Sequence, residues 1–165
     1  QIVIPLDKEE TGGSLFGKLA QAGAELLIKT LPSIEQGTAV AEKQPEESPT
    51  PYAAMITKQM GLLDFTKSAE TLERLVRGMN PWPSAYTFVN GKTLKVWKSS
   101  VSQETSDAQP GTVILTAKAG IHVACKEGVL LLTEVQLEGK KRMDAETFLR
   151  GYHMEQGTVF TDHKE

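Results

Sequence analysis

The stretch that most constrains this chain is residues 77–97, RGMNPWPSAYTFVNGKTLKVW, which sets a helix end, a stiff corner and a β-hairpin in one continuous run. Gly78 closes an amphipathic helix. The two prolines of Asn80-Pro81-Trp82-Pro83 forbid its resumption, because each fixes its own φ and drives the preceding residue toward extended geometry. Residues 85–89 then read as a strand. Asn90-Gly91 suits the positive φ values of a type I′ turn, and residues 93–97 alternate as the returning strand. A chain built around this run passes from a helix into antiparallel β-structure through a fixed corner.

The runs at residues 111–117, 121–125 and 129–137 are also strand-like, separated by Ala119-Gly120 and Glu127-Gly128, while residues 103–110 are polar and loop-like. About five short strands with glycine-marked turns predict a mainly β fold, a small, partly open OB-like antiparallel barrel. Helices flank it. Ser68 caps one whose inner face is Ala69, Leu72, Leu75, Val76 and Met79. Asp144 caps a closing helix, with Met143 and Phe148 in hydrophobic-staple positions, Arg150 in the last turn and Gly151 just beyond. A short strand over residues 157–161 and a frayed tail at 162–165 complete the expectation.

Upstream, Ile2, Ile4 and Leu6 alternate with Val3 and Pro5 in a run apolar on both faces, which predicts a buried strand. Thr11 or Ser14 caps a helix with Leu15, Leu19, Ala22 and Leu26 on one face, and Leu31-Pro32 stops it. One strand and one helix cannot close a core, and Gln1 stands where an initiator Met would, so the chain reads as beginning inside a larger protein. Gly12-Gly13-Ser14 lacks the spacing of a phosphate-binding loop. Residues 32–54 carry four of the eight prolines and few large apolar groups, the composition of a semi-extended linker.

Composition removes several classes. The single Cys125 permits no intramolecular disulfide, which predicts a reducing, cytoplasmic setting. No apolar run approaches the ~20 residues of a membrane span. His122, His153 and His163 have no Cys or carboxylate at ligand spacing, so no metal site is expected. His122, between Ile121 and Val123, reads as the outward residue of a strand, and Cys125 as inert packing. The net charge is -3, with four Lys against eight acids in residues 1–54. RNA binding would therefore rest on a local patch.

Two patches qualify. On the returning strand of the hairpin, Leu94 and Val96 face one way and Lys95 and Trp97 the other, pairing a cation with an aromatic ring as phosphate attraction and base stacking require. Lys140-Lys141-Arg142 is the densest positive charge in the chain. Arg74 and Arg77 lie off the inner face of their helix, where they either pair with Glu70 and Glu73 or contact phosphate, Arg77 being the better placed for the latter. Trp82, between two prolines, reads as a core anchor for the corner.

The 77–97 run resembles the junction that opens the C-terminal domain in the methionyl-tRNA formyltransferase family, which carries a similar R-G-x-N-P-W-P run and then an N-G-x-x-L-K-V-W-type hairpin. LEGKKRM at 137–143, followed by DAETFLRG at 144–151, resembles that family's closing motif. The resemblance implies that residues 1–31 are the last strand and helix of an α/β catalytic domain, 32–54 the interdomain linker and 55–165 an OB-like tRNA-binding domain. It implies a parent enzyme of translation initiation that transfers a formyl group from 10-formyltetrahydrofolate to the amino group of methionyl initiator tRNA. The partners would be that tRNA and the missing N-terminal catalytic domain. Lys140, Lys141, Arg142, Arg77, Lys95 and Trp97 become the tRNA-binding candidates. The family's catalytic Asn, His and Asp have no counterpart here, so this chain binds no cofactor and is expected to be inactive alone. The linker departs from a simple RNA-binding picture, since Glu42, Glu46 and Glu47 make it acidic. The residues leave open a related formyltransferase acting on nucleotide sugars, and a non-catalytic OB-fold RNA-binding module.

Overall fold

The predicted hairpin is the start of the sheet. In the computed structural model, which describes residues 1–48 and 50–164, β1 (Ala85–Val89) and β2 (Lys92–Val101) pair from Ala85↔Val96 to Val89↔Lys92. Asn90 at φ 48° and Gly91 at φ 69° make the turn between them, the left-handed conformation that Asn and Gly adopt most readily. β3 (Val113–Ala117), β4 (Gly120–Ala124) and β5 (Val129–Leu137) follow, all antiparallel, in the spatial order β1-β2-β5-β4-β3. A two-residue β6 (Met143–Asp144), which the sequence did not announce, pairs with β5 at Glu134 and Val135. The result is the expected mainly β domain with an open antiparallel sheet and flanking helices.

Residues 157–161 bring the two ends of the open sheet together. They form isolated bridges to both outer strands, Phe88↔Thr161 at the β1 edge and Thr112↔Val159 beside β3. The predicted final strand is thus a strap rather than a full strand. The expected fraying of the tail does not extend to Lys164, whose Nζ lies 2.9 and 3.0 Å from the two oxygens of Glu138; Glu165 lies outside the described residues.

The core follows the period-2 pattern except at the register shifts around Lys98, across which both Leu132 and Val135 turn inward. Leu94 and Val96 on β2 and Leu132 and Val135 on β5 are buried, and α2 (Ala69–Gly78) closes over them with Leu72 and Val76. Ser68 Oγ accepts from the Thr71 N–H and starts that helix, as predicted. The same device starts α3 (Ala145–Gly151), where Asp144 Oδ1 accepts from the Thr147 N–H at 2.7 Å and Phe148 is buried. Gly120 is obligatory at φ +142°, since an added Cβ would sit 2.2 Å from the Leu132 carbonyl oxygen.

Four expectations fail. Residues 1–6 form no strand, and Val3 is 89% exposed, because a strand needs a neighbour and none of the described strands lies beside it. Pro32 does not stop the first helix, α1 (Gly12–Glu35), which runs on for one more turn; near a C-terminus a proline removes a single intrahelical bond and its carbonyl still accepts from the Gln36 N–H at 3.0 Å. Trp82 is 58% exposed rather than a core anchor, since its flanking prolines dictate the backbone and not where the ring points. His122 is 6% exposed rather than outward: the chain leaving β2 lies against it, and its Nδ1 is 3.0 Å from Ser102 Oγ.

Candidate nucleic-acid interface

The side of the β2–β5 pair opposite the core is where most of the candidate residues meet. Alternation puts Lys95 and Trp97 there on β2, as predicted, with Glu134 and Gln136 beside them on β5. The turn after β5 carries Gly139 at φ +75° and returns the chain through exposed Lys140 and Lys141 to Arg142, just ahead of β6. Arg142 is thereby laid over the Trp97 ring with its guanidinium carbon 4.6 Å from the centroid, and Lys95 Nζ approaches the same ring at 5.7 Å. Each contact at an exposed position is worth about 0.5–1 kcal/mol.

Two polar side chains that the sequence reading passed over hold this cluster. Gln136 Oε1 accepts from the indole N–H of Trp97 at 3.2 Å, and its Nε2 donates to the Lys140 carbonyl at 3.0 Å, so one amide orients both the ring and the basic turn. Glu134 takes Arg142 in a two-pronged pair, with Nη2 donating to Oε2 at 2.7 Å. The Arg142 guanidinium holds the Glu134 carboxyl below the usual carboxylate range, and the pairing pushes the Arg142 pKa up. The strand pattern carries a partial signal for both: with Thr133, Glu134 and Gln136 are the polar positions of an otherwise apolar β5.

Arg77 stands apart from this face but shares a cleft of about 200 Å³ with Trp97, Lys98, Ser99 and Arg142. Its Nε and Nη2 donate to the two oxygens of Glu73 at 2.6 and 3.1 Å, and Nη1 donates to the Glu10 carbonyl at 3.0 Å. Arg74 pairs with Glu70 at 3.0 Å. The pairing of both arginines within their own helix is therefore realised, and Glu73 pushes the Arg77 pKa up. Among the described residues neither Lys140 nor Lys141 meets a side-chain partner, which leaves the exposed turn open to a polyanion.

Little else offers chemistry. Burial pushes the Cys125 thiol up to about 11, which disfavours a thiolate nucleophile near neutral pH. Among the described residues no group of His, Cys, Asp and Glu could hold a metal ion, and no helix is long and apolar enough to cross a membrane. What the surface provides is cations, an aromatic face and the geometry to present them together.

The comparisons with known proteins agree with this architecture. The family described as Formyl transferase, C-terminal domain, matches residues 55–153. The methionyl-tRNA formyltransferase of Lachnospira eligens is 48% identical over 161 residues, covering 94% of this chain and 51% of that protein. That of Bacillus subtilis is 46% identical over 165 residues, covering 98% of this chain and 52% of that protein. The chain thus spans about half the length of the curated relatives it matches. Among solved structures, HypX from Aquifex aeolicus in complex with tetrahydrofolic acid superposes with a TM-score of 0.62 at 17% identity, over 97% of this chain and 30% of that one, which speaks to the fold alone. With the strap, the hairpin and the closing helix all falling within or beside the matched span, this chain belongs to the formyltransferase family and carries its C-terminal domain.

Proposed function

We propose that this chain is the tRNA-docking part of a methionyl-tRNA formyltransferase. The observation that carries the reading is the convergence of Lys95, Trp97 and Arg142 on one face, with Lys140 and Lys141 exposed at its rim. Phosphates are drawn by the lysines and by Arg142, and a splayed base or ribose stacks on the Arg142–Trp97 pair. The relatives' name supplies the substrate. In the whole enzyme the formyl group passes from 10-formyltetrahydrofolate to the amino group of methionyl initiator tRNA in the cytoplasm, at a catalytic domain outside this chain. This half holds the tRNA so that the aminoacyl end reaches that site, and catalysis gains from the positioning. Alone, it transfers nothing. The boundaries that go with this reading are residues 1–31 for the end of the catalytic domain, 32–54 for the linker and 55–165 for the docking domain.

The apolar stripe of α1 fits the same reading. None of its residues is buried and Leu19 is 51% exposed, as expected of a helix whose covering layer belongs to the catalytic domain.

The test is binding of this chain to initiator tRNA and to an elongator tRNA across a salt series. Each phosphate contact adds about 0.7–0.9 to the slope of log affinity against log salt. Changing Lys140, Lys141 and Arg142 together to Ala is expected to weaken binding and flatten that slope. Absence of binding at low salt rejects the docking role and brings forward the nucleotide-sugar formyltransferase.

A further inference from the structure

The Gly12-Gly13-Ser14 run, which is no phosphate loop, has a different use in the folded chain. The first turn of α1 presses onto the corner that follows α2. The Gly13 N–H donates to the Asn80 carbonyl at 2.9 Å, and Arg77 Nη1 donates to the Glu10 carbonyl at 3.0 Å. Neither glycine has room for a side chain: a Cβ on Gly12 would lie 2.4 Å from the Gly78 carbonyl oxygen, and one on Gly13 would lie 2.6 Å from Pro81 Cδ. Farther along the helix the constraint vanishes, since a Cβ on Gly17 or Gly23 would meet nothing within 4 Å. The glycines are therefore not explained by the helix; they are explained by the approach of two backbones.

The local network stiffens the same point. Thr11 and Ser14 cap the helix reciprocally, Glu10 is buried, and its carboxylate accepts from Lys18 Nζ at 2.5 Å and from Ser14 Oγ. On the other side, Asn80 Nδ2 donates to the Trp97 carbonyl at 3.1 Å. One asparagine thus bonds α1 through its carbonyl and β2 through its side chain. Residues 36–56, the covalent connection between α1 and the domain, contain no helix or strand among their described residues.

We infer that Gly12, Gly13, Arg77 and Asn80 form a clasp that fixes the direction of α1 relative to the β-domain, so that the linker connects the two without orienting them. Arg77 is then a positioning residue rather than a phosphate contact. The inference does not depend on the tRNA reading. Whatever packs on the apolar face of α1 is aimed at the Trp97 surface by this backbone contact.

Spin labels at Lys29→Cys and Lys118→Cys, in a Cys125→Ala background of this chain, report the distance between α1 and the far end of the sheet by pulsed electron paramagnetic resonance. A single narrow distribution is expected, and it stays narrow when a Gly-Ser segment is inserted between Lys43 and Gln44. Gly13→Val is expected to replace it with a broad one while the denaturation midpoint of the β-domain holds. Gly17→Val, the same substitution in the same helix without the collision, leaves it narrow. Arg77→Gln broadens it as well; an unchanged distribution there returns Arg77 to the RNA-contact candidates. Broadening by the lengthened linker or by Gly17→Val, or none with Gly13→Val, overturns the clasp.

Discussion

Helices α1 and α2 begin alike and end up in opposite surroundings. Each has a hydroxyl cap, Thr11 for α1 and Ser68 for α2, and each carries an apolar stripe at helical spacing. Yet α1, at 24 residues, buries none of them, while α2, at 10 residues, buries Ala69, Leu72 and Val76 under the sheet. Local rules decide that a helix forms and where its apolar face lies. Whether that face is covered is decided by residues far away in sequence, or in another part of the protein altogether.

The sharpest way to break this comparison is to empty matching positions. Leu72→Ala, at a fully buried site, is expected to cost about 2–5 kcal/mol in denaturant unfolding of the β-domain, through lost burial and the cavity left behind. Ser68→Ala removes one cap bond and is expected to cost about 1 kcal/mol in the same measurement, with the loss confined to the β-domain transition. A smaller effect is pH-dependent. The Thr93 N–H and the Lys164 ammonium hold the Glu138 carboxyl down to about 2 from an ordinary 4.5. A depressed carboxyl stabilises the fold above its unfolded value, so this contribution is present above about pH 4.5 and drains away as pH falls toward 2. Unfolding midpoints followed over that range should decline less steeply in Glu138→Gln than in the parent, and equal slopes would mean that neither the Thr93 N–H nor Lys164 holds the carboxylate in solution. The smallest effect belongs to α1: Leu19→Ala, at an exposed position of its apolar stripe, should shift stability by no more than about 0.5 kcal/mol. A loss comparable to that of Leu72→Ala would show that α1 is covered in solution by a second copy, and the contrast between the helices would collapse.

The same division explains what the sequence disclosed. The hairpin at Asn90-Gly91, the caps at Ser68 and Asp144 and the opposite faces of Leu94 and Lys95 are local, and all were legible. β6 was not, because two residues, Met143 and Asp144, become a strand only by meeting β5. Alternation correctly placed His122 on the other face from Ile121 and Val123, but it could not reveal that Ser102 would come to lie against that face. In the candidate interface the cations and Trp97 announced themselves by chemistry, whereas the strand pattern marks Gln136 only as a polar position of β5, and its role comes from standing between Trp97 and Lys140 in space. Arg77 was singled out for its place at the corner; its partner, the Glu10 carbonyl, is a backbone atom that no residue-type reading could nominate.

The strap at residues 157–161 has a consequence for how copies of this domain behave toward one another. An open sheet offers unpaired N–H and C=O groups at its outer strands, a template on which another chain's strand can grow. Here the Phe88 N–H and carbonyl are both taken by Thr161, and Val113 is taken by Gly157 and Thr158, so one short segment occupies docking positions at both ends of the sheet. The sheet's outer strands are thus capped by its own chain, and the same few residues also feed its interior, since the Phe160 side chain is buried in the core.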